Sequence, residues 1–227
     1  GQISMTAQGG AIHNAENGVI NVTSNNSSDG GNVFIQAPAF VNEGLIEANA
    51  ISGNPAVSAG NIDINTYFNA IFTQTSNLQA NATIAGNGGT ISVEATNGTV
   101  AFAEGSTVAV KGGLMGGDGG AVNITGQQVS YYATTKVGAL NGTDGSLSIA
   151  VDESVDIYAP GGVVIIPSIV DLGSAINVTS RVGTNVLNNF DGDVSISSNV
   201  DVMLNQGFDL QGHNLTLTSG RNIGLNA

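Results

Sequence analysis

The stretch that decides the fold is residues 89–125, which read GTISVEATNGTVAFAEGSTVAVKGGLMGGDGGAVNIT. Three short runs within it alternate apolar and polar residues, and they lie at 90–95, 99–102 and 107–111. The turn signals between them are Asn97-Gly98, Glu104-Gly105 and a glycine-rich segment at 112–120. Because the apolar period is two, the pattern predicts short strands rather than helices. The opening phrase returns 31 residues after Gly89, at Gly120, so this three-strand unit is repeated.

The same phrase recurs along the whole chain, as a small or polar residue followed by two apolar residues at alternate positions. Nine such phrases occur, at intervals of 18–31 residues. They begin at Gly1, Gly31, Gly60, Gly89, Gly120, Gly145, Ser174, Gly192 and His213. Periods of this size are typical of solenoids and repeat arrays. The apolar residues expected to stack in the core include Ile35, Ile64, Ile91, Val93, Val122, Ile124, Ile149, Val178 and Ile196.

Each predicted strand is too short to bury a face alone. Coiled into successive turns, such strands pair in parallel and close an apolar interior. The sequence therefore predicts an all-β fold, a right-handed parallel β-helix (β-solenoid) of about eight rungs. A β-propeller blade is longer, with four strands in about 40–45 residues. A β-sandwich has short strands too, but it does not repeat a phrase at a fixed period.

The extra residues of the longer intervals lie in one place, directly before the first residue of the next phrase. They occupy 24–30, 51–59, 85–88, 112–119 and 140–144. We expect these segments to stack as a ridge of Gly/Asn/Asp-rich loops, called the loop ridge below. A single β-helix domain is expected over 1–227, as an excerpt of a longer repeat protein. Its expected parts are wide rungs over 1–173, an irregular proline-containing segment at 160–173, and tight rungs over 174–227.

Charge and cysteine content exclude several classes of function. The net charge is −13, and the fixed cations are Lys111, Lys136, Arg181 and Arg221. Because phosphate binding relies on Lys and Arg, no nucleic-acid partner is expected. The longest aliphatic run, 163–166, is far shorter than the roughly 20 residues that span a bilayer, so no membrane insertion is expected. Cysteine is absent, and a long continuous core needs no disulfide.

Acidic residues in the loops raise the question of a metal. Asp29, Asp118 and Asp144 are candidate ligands for Ca²⁺, which takes six to eight oxygen ligands. Asp-Gly is also ordinary turn chemistry, in which Asp closes its own turn, and this interpretation is favoured. No catalytic residue, cofactor or metal is therefore predicted. His13 and His213 have no partner at ligand spacing and are expected to be solvated.

Polysaccharide cleavage is the alternative that involves chemistry, since other β-helix proteins are lyases. The dense acid groups are Asp152, Glu153 and Asp156, and Asp191 with Asp193. Glycoside hydrolysis needs two carboxylates about 5–9.5 Å apart, and a lyase needs a base, for which Arg181 is the candidate. The Tyr131-Tyr132 pair is either a sugar platform or a packing pair, and packing is favoured. Fold analogy alone gives no warrant for activity, so an enzyme is not favoured.

Three features together resemble filamentous-haemagglutinin-type exoproteins, which are large bacterial adhesins exported by two-partner secretion. They are the Gly-Gly-x-Ile-x-Val phrase at 88–93, the Asn-Gly and Glu-Gly turns at 17–18, 43–44 and 104–105, and the closing GRNIGL at 220–225. The resemblance covers the chain as a repeat style. It implies a structural, adhesive shaft segment of a secreted or cell-surface bacterial protein that mediates cell adhesion, cell–cell contact or biofilm contact.

The expected partner of such a shaft is a glycan or protein on a host or neighbouring cell, with the loop ridge as the contact face. A second alternative is a self-assembling extracellular filament or surface-layer subunit. In that case the terminal rungs would associate through their open strand edges. Sequence alone favours the adhesive shaft over both the filament and the polysaccharide-cleaving enzyme.

Overall fold

The computed structural model describes residues 1–25, 28–159, 178–188 and 190–226. The described strands are β1 Gln2–Thr6, β2 Ala11–Asn14, β3 Val19–Asn21, β4 Asn32–Asn42, β5 Leu45–Glu47, β6 Asn61–Phe72, β7 Asn77–Gln79, β8 Thr90–Phe102, β9 Thr107–Ala109, β10 Ala121–Tyr131, β11 Thr134–Lys136, β12 Ser146–Val151, β13 Val155–Tyr158, β14 Ser180–Gly183, β15 Asp193–Ser198, β16 Asp201–Leu204, β17 Leu215–Ser219 and β18 Asn222–Leu225. One short helix, α1 Thr184–Leu187, follows β14. The predicted all-β class is confirmed.

The strands stack as a β-solenoid with three faces. The first face contains β1, the first halves of β4, β6, β8 and β10, and then β12, β15 and β17. The second contains β2, the second halves of the same long strands, and β14, β13, β16 and β18. The third is a five-stranded sheet of β3, β5, β7, β9 and β11. All these pairings are parallel, and the coil has about six turns rather than the predicted eight.

Alternation along the first face produces the core. Residues Ile35, Ile64, Val93, Ile124, Ile149 and Ile196 align strand by strand, with Ile91 and Val122 in the neighbouring column. These eight predicted core residues are at most 1% exposed. Burying a side chain of this size contributes about 1.5–3 kcal/mol, so the two columns together stabilise the stack between β4 and β15.

A column of aromatic rings fills the core where the second face ends. The rings of Phe72 and Phe102 are stacked, with centroids 4.0 Å apart and an interplanar angle of 4°. Tyr131 follows 4.9 Å from Phe102, and its hydroxyl lies 2.7 Å from Thr135 Oγ1. All three rings are fully buried. In-register parallel pairing places equivalent residues of successive turns directly over each other, which is why the rings stack.

Glycine begins most phrases because neighbouring backbones approach closely at the corner before the first face. A Cβ on Gly60 or Gly89 would lie closer than 3.0 Å to the carbonyl oxygen of the preceding phrase's glycine, and the same holds at Gly120. Any side chain there would force adjacent turns apart. The phrase glycines therefore set the spacing of the stack through their lack of a side chain.

The prediction that Val178 belongs to the core stack is wrong. Val178 is half-buried and lies before β14, outside any strand, where its N–H donates to Gln128 Oε1 over 2.8 Å. On the first face β12 pairs directly with β15. The strand that follows β12 on this face comes from the phrase at Gly192, where a Cβ would lie closer than 3.0 Å to the carbonyl oxygen of Gly145.

The second face holds one strand more than the regular coil would give it. β14 is inserted between β10 and β13, although it follows β13 in the chain. Its residues Ser180 and Val182 point into the core and are 2% and 0% exposed. The expected irregular segment at 160–173 and the phrase residue Ser174 lie outside the described residues. The right-handed sense of the coil stays a prediction.

Candidate functional site

The loop ridge is an ordered surface, because hydrogen bonds join neighbouring loops. Ile51 N–H donates to the carbonyl of Ser24 over 2.8 Å, and Met115 N–H donates to that of Ile84 over 2.7 Å. Between the last two loops, the side-chain amide of Asn141 donates to the carbonyl of Leu114 over 2.9 Å. These bonds continue the parallel pairing of the strands into the loops. The ridge therefore presents fixed positions, one per turn.

Large apolar side chains stand exposed on, or directly before, four successive loops of the ridge. They are Ile51 (40% exposed), Ile84 (37%), Leu114 (64%), Met115 (75%) and Leu140 (72%). The described part of the chain has ten exposed large apolar or aromatic side chains, and these are five of them. Isolated exposed apolar residues are ordinary, whereas adjoining ones mark contact surfaces. Half of the exposed large apolar side chains in the described residues thus lie on or directly beside the ridge.

The three loop aspartates fasten one part of the ridge to another. Asp29 Oδ1 accepts the N–H of Ser58 at 2.8 Å, and Asp118 Oδ1 accepts that of Thr143 at 2.8 Å. Asp144 Oδ1 accepts the N–H of Ala139 at 2.7 Å. Among the described residues, no group of three or more His, Cys, Asp or Glu side chains could hold a metal ion. Only Asp144 closes its own loop, whereas Asp29 and Asp118 join neighbouring loops, and the expectation that these aspartates hold no metal stays a prediction.

Asp191 and Asp193, one of the two dense acid groups, accept hydrogen bonds from different parts of the chain. Asp191 Oδ1 accepts the N–H of Val137 at 3.0 Å, whereas Asp193 accepts the backbone and side-chain N–H groups of Asn214 at 2.9 and 3.1 Å. The bond from the Asn214 backbone is the main cause that lowers the pKa of Asp193 below its usual value of 3.8. Since Asp191 and Asp193 serve different neighbours, each has a structural role in the stack.

In the other acid group, Asp152, Glu153 and Asp156, the first two side chains accept hydrogen bonds from side-chain amides. Asp152 Oδ1 accepts from the Asn199 amide at 2.9 Å, and Glu153 Oε2 accepts from the Gln128 amide at 2.9 Å. Asp156 lies opposite Arg181 on the adjoining strand. The Arg181 guanidinium is 5.5 Å from the centre of the Tyr158 ring. Arg181, the candidate base of a lyase, is therefore held over an aromatic ring on the second face.

The tyrosine pair is a packing pair. Tyr131 is 0% exposed and Tyr132 is 2% exposed, and burial raises the pKa of both hydroxyls above the usual 10.0. The histidines sit at the surface beside acids: His13 Nε2 is 3.6 Å from Glu43 Oε2, and His213 Nε2 is 3.7 Å from Asp144 Oδ2. The buried tyrosine pair is thus unavailable as a sugar platform.

Sequence reasoning missed the apolar residues of the ridge. The loops were expected to be polar because Gly, Asn and Asp dominate them. The signal was present, since Leu114-Met115 and Leu140 interrupt segments that otherwise read as turns. Leu or Met in a turn segment has no role in turn chemistry, so its side chain points to packing or to contact with a partner.

Comparison with known proteins gives no relative from which a function could be transferred. No protein-family model matches the chain, no curated protein matches it, and no solved structure matches it. The resemblance to filamentous-haemagglutinin-type exoproteins therefore stays a prediction. None of the described residues forms a helix that is long and apolar enough to cross a membrane.

Proposed function

We propose that this chain is a structural, adhesive shaft segment of a secreted or surface-exposed bacterial protein, and that the loop ridge is its contact face. The proposed partner is a protein on the surface of a host or neighbouring cell. The observation that carries this proposal is the row of exposed apolar side chains on successive ridge loops. The resemblance of the repeat phrases to filamentous-haemagglutinin-type exoproteins supports the cellular setting.

The ridge suits protein contact for two physical reasons. Leu114, Met115 and Leu140 are each at least 64% exposed, so a partner that covers them removes a large apolar area from water. Such burial contributes about 25 cal/mol per Å². The loops are also fixed by hydrogen bonds from turn to turn, so little conformational freedom is lost on binding. A rigid apolar row on a long rod supplies many weak contacts side by side.

Binding of the labelled chain to intact cells tests the proposal. The ridge variant Leu114→Ser/Met115→Ser/Leu140→Ser is expected to bind about tenfold or more weakly, which corresponds to about 1.4 kcal/mol or more. Its thermal midpoint should stay close to that of the parent, because all three side chains are exposed. A matched control, Val19→Ser/Tyr158→Ser/Ile223→Ser, removes similarly exposed side chains elsewhere. Equal binding by the parent and both variants would overturn the ridge as contact face.

Two further experiments separate this proposal from its two alternatives. A self-assembling filament predicts long fibres in electron micrographs of the purified chain, with an axial repeat of about 4.8 Å. A polysaccharide-cleaving enzyme predicts new reducing ends or unsaturated products from a polysaccharide panel. Either result, combined with unchanged cell binding by the ridge variant, would replace the adhesive shaft as the proposed function.

A further inference from the structure

A groove crosses the bends between the first and second faces, on the opposite side of the first face from the loop ridge. It has a volume of about 430 Å³. The groove exists because the bends differ in length. The bend of the second turn has two residues, 37 and 38, whereas the bend before it has four, 7–10, and the bend after it has three, 66–68. The short bend forms the floor, and its longer neighbours form the walls.

Tyr67 forms one wall of this bend groove. The residue pair Tyr67-Phe68 lies opposite the single residue Pro38, so β6 bulges outward at this point. Bulges of this kind re-aim side chains and recur beside functional sites. The Tyr67 ring is 56% exposed. The Tyr67 and Phe68 rings form a T-shaped pair with centroids 4.7 Å apart, so the Tyr67 ring is held in place in the wall of the groove.

Neutral polar side chains line the rest of the groove in a regular row. Thr6, Gln36 and Asn65 occupy equivalent positions on β1, β4 and β6, one per turn and about 4.8 Å apart. The Gln36 side chain is exposed. The Asn65 amide donates to Asp63 Oδ1 at 3.2 Å, which holds this side chain in place. No charged side chain lines the groove, although the chain carries a net charge of −13.

We propose that the bend groove binds a neutral oligosaccharide. The face of Tyr67 would stack on one sugar ring, since an aromatic ring offers a large rigid contact area at low entropic cost. Gln36 and Asn65 offer amide donors and acceptors to the hydroxyls, and Ala37 with Pro38 forms an apolar floor. Gln36 and Asn65 are separated by about the distance between neighbouring strands, and this spacing suits successive units of an extended sugar chain.

The other ligand classes fit this groove less well. An anionic glycan or a nucleic acid needs Lys or Arg, and none lines the groove. A peptide that adds a strand needs an open sheet edge; β1 has one, but β4 and β6, which carry the floor and the Tyr67 wall of the groove, are paired on both sides. Sugar binding here is independent of the protein contact proposed for the loop ridge, and the two sites lie at opposite ends of the first-face strands.

Saturation-transfer NMR with the full 227-residue chain tests the groove. The probes are neutral oligomers of glucose, xylose, galactose and N-acetylglucosamine, with oligogalacturonate as the anionic comparison. At least one neutral oligomer is expected to bind saturably and more tightly than the anionic one. Tyr67→Ala should weaken that binding about tenfold, while Tyr67→Phe should stay within about threefold because the stacking face is retained.

The control variant is Tyr158→Ala, which removes another exposed tyrosine on the second face, 49% exposed. It should leave oligosaccharide binding unchanged, as should the ridge variant. Absence of binding by every neutral oligomer would overturn the proposal, as would preferential binding of oligogalacturonate or equal losses in Tyr67→Ala and Tyr158→Ala. None of these results would bear on cell binding through the ridge, so the two proposals fail separately.

Discussion

The turns of β4–β10 and the section of β15–β18 are built from the same sequence phrase but are held together differently. Each turn of the first section has strands on all three faces, and its core columns are at most 1% exposed. The described strands of the second section lie on the first and second faces only. There Leu215 and Leu217 are half-buried, and Ile223 and Leu225 are 49% and 70% exposed.

Polar side chains make the contacts between turns in the section whose described strands leave the third face unoccupied. Asp193 is bonded to Asn214, and Asp201 is bonded to both Arg221 and Asn222. These pairs join β15 to the turn of β17 and β16 to β18. In the β4–β10 section burial of apolar columns is the main source of cohesion, whereas in the β15–β18 section exposed hydrogen bonds and an ion pair contribute a larger share. The two sections should therefore respond differently to mutation and to pH.

The largest expected effect is that of a charge in the core of the β4–β10 section. Ile91→Asp places a carboxylate at a position that is 0% exposed and has no cationic partner. An uncompensated buried charge costs several kcal/mol, against a total stability of about 5–15 kcal/mol for a typical protein. We expect the variant to be unfolded at room temperature, as measured by far-UV circular dichroism and thermal melting.

The matched variant in the other section is Leu217→Asp. Leu217 is half-buried, so its carboxylate keeps part of its hydration, and we expect the β4–β10 section to stay folded. Amide hydrogen exchange resolves the two sections. If Ile91→Asp melted like the parent, the register of the first face would be wrong.

Much of the fold follows from the sequence because parallel stacking repeats one local rule. Alternation fixes which residues face inward, and the phrase glycines fix where each turn begins, so Ile64 and Ile124 could be placed before any coordinates. Val178 could not, because its phrase also alternates. What excludes it is the direct pairing of β12 with β15, a contact between turns that no single phrase reveals.

The contact surfaces were predicted less well than the fold. The position of the loop ridge follows from where the extra residues fall, but the exposure of Leu114 and Met115 depends on how the loops fold back. The bend groove depends on the difference in length between bends of neighbouring turns. Pro38 and Tyr67 are 29 residues apart, and their juxtaposition appears only once the register of β4 against β6 is known.

The second prediction removes part of the aromatic column. Phe102→Ala leaves a cavity between Phe72 and Tyr131, and truncation of a buried Phe costs about 3–5 kcal/mol. The comparison in the β15–β18 section is Ile223→Ala, which should change stability by less than about 0.5 kcal/mol. Chemical denaturation measures both. A loss at Ile223 as large as that at Phe102 would contradict the contrast between apolar and polar cohesion.

The third prediction concerns the glycine column. Gly60→Ala puts a Cβ against the carbonyl oxygen of Gly31, so the turns must move apart. Overpacking of this kind costs about 1–3 kcal/mol. Gly207→Ala is the control, because a Cβ there would meet nothing within 4 Å. Gly60→Ala should have a lower thermal midpoint than Gly207→Ala. Equal midpoints would show that the corner accommodates a Cβ without loss of stability.

The smallest effect is the pH dependence of the β15–β18 section. A hydrogen bond from Arg221 is the main cause that lowers the pKa of Asp201 from 3.8 to about 2. A lowered folded-state pKa stabilises the fold above the unfolded value, and this contribution is lost as the pH falls from 3.8 to about 2. The amide hydrogens of β16 and β18 should therefore exchange faster in Asp201→Asn than in the parent near neutral pH. This difference in exchange rate should vanish at about pH 2. Because the pair is exposed, high salt should reduce the difference. A difference that persisted unchanged through this pH range would mean that Asp201 acts through packing, and the electrostatic contrast between the two sections would fail.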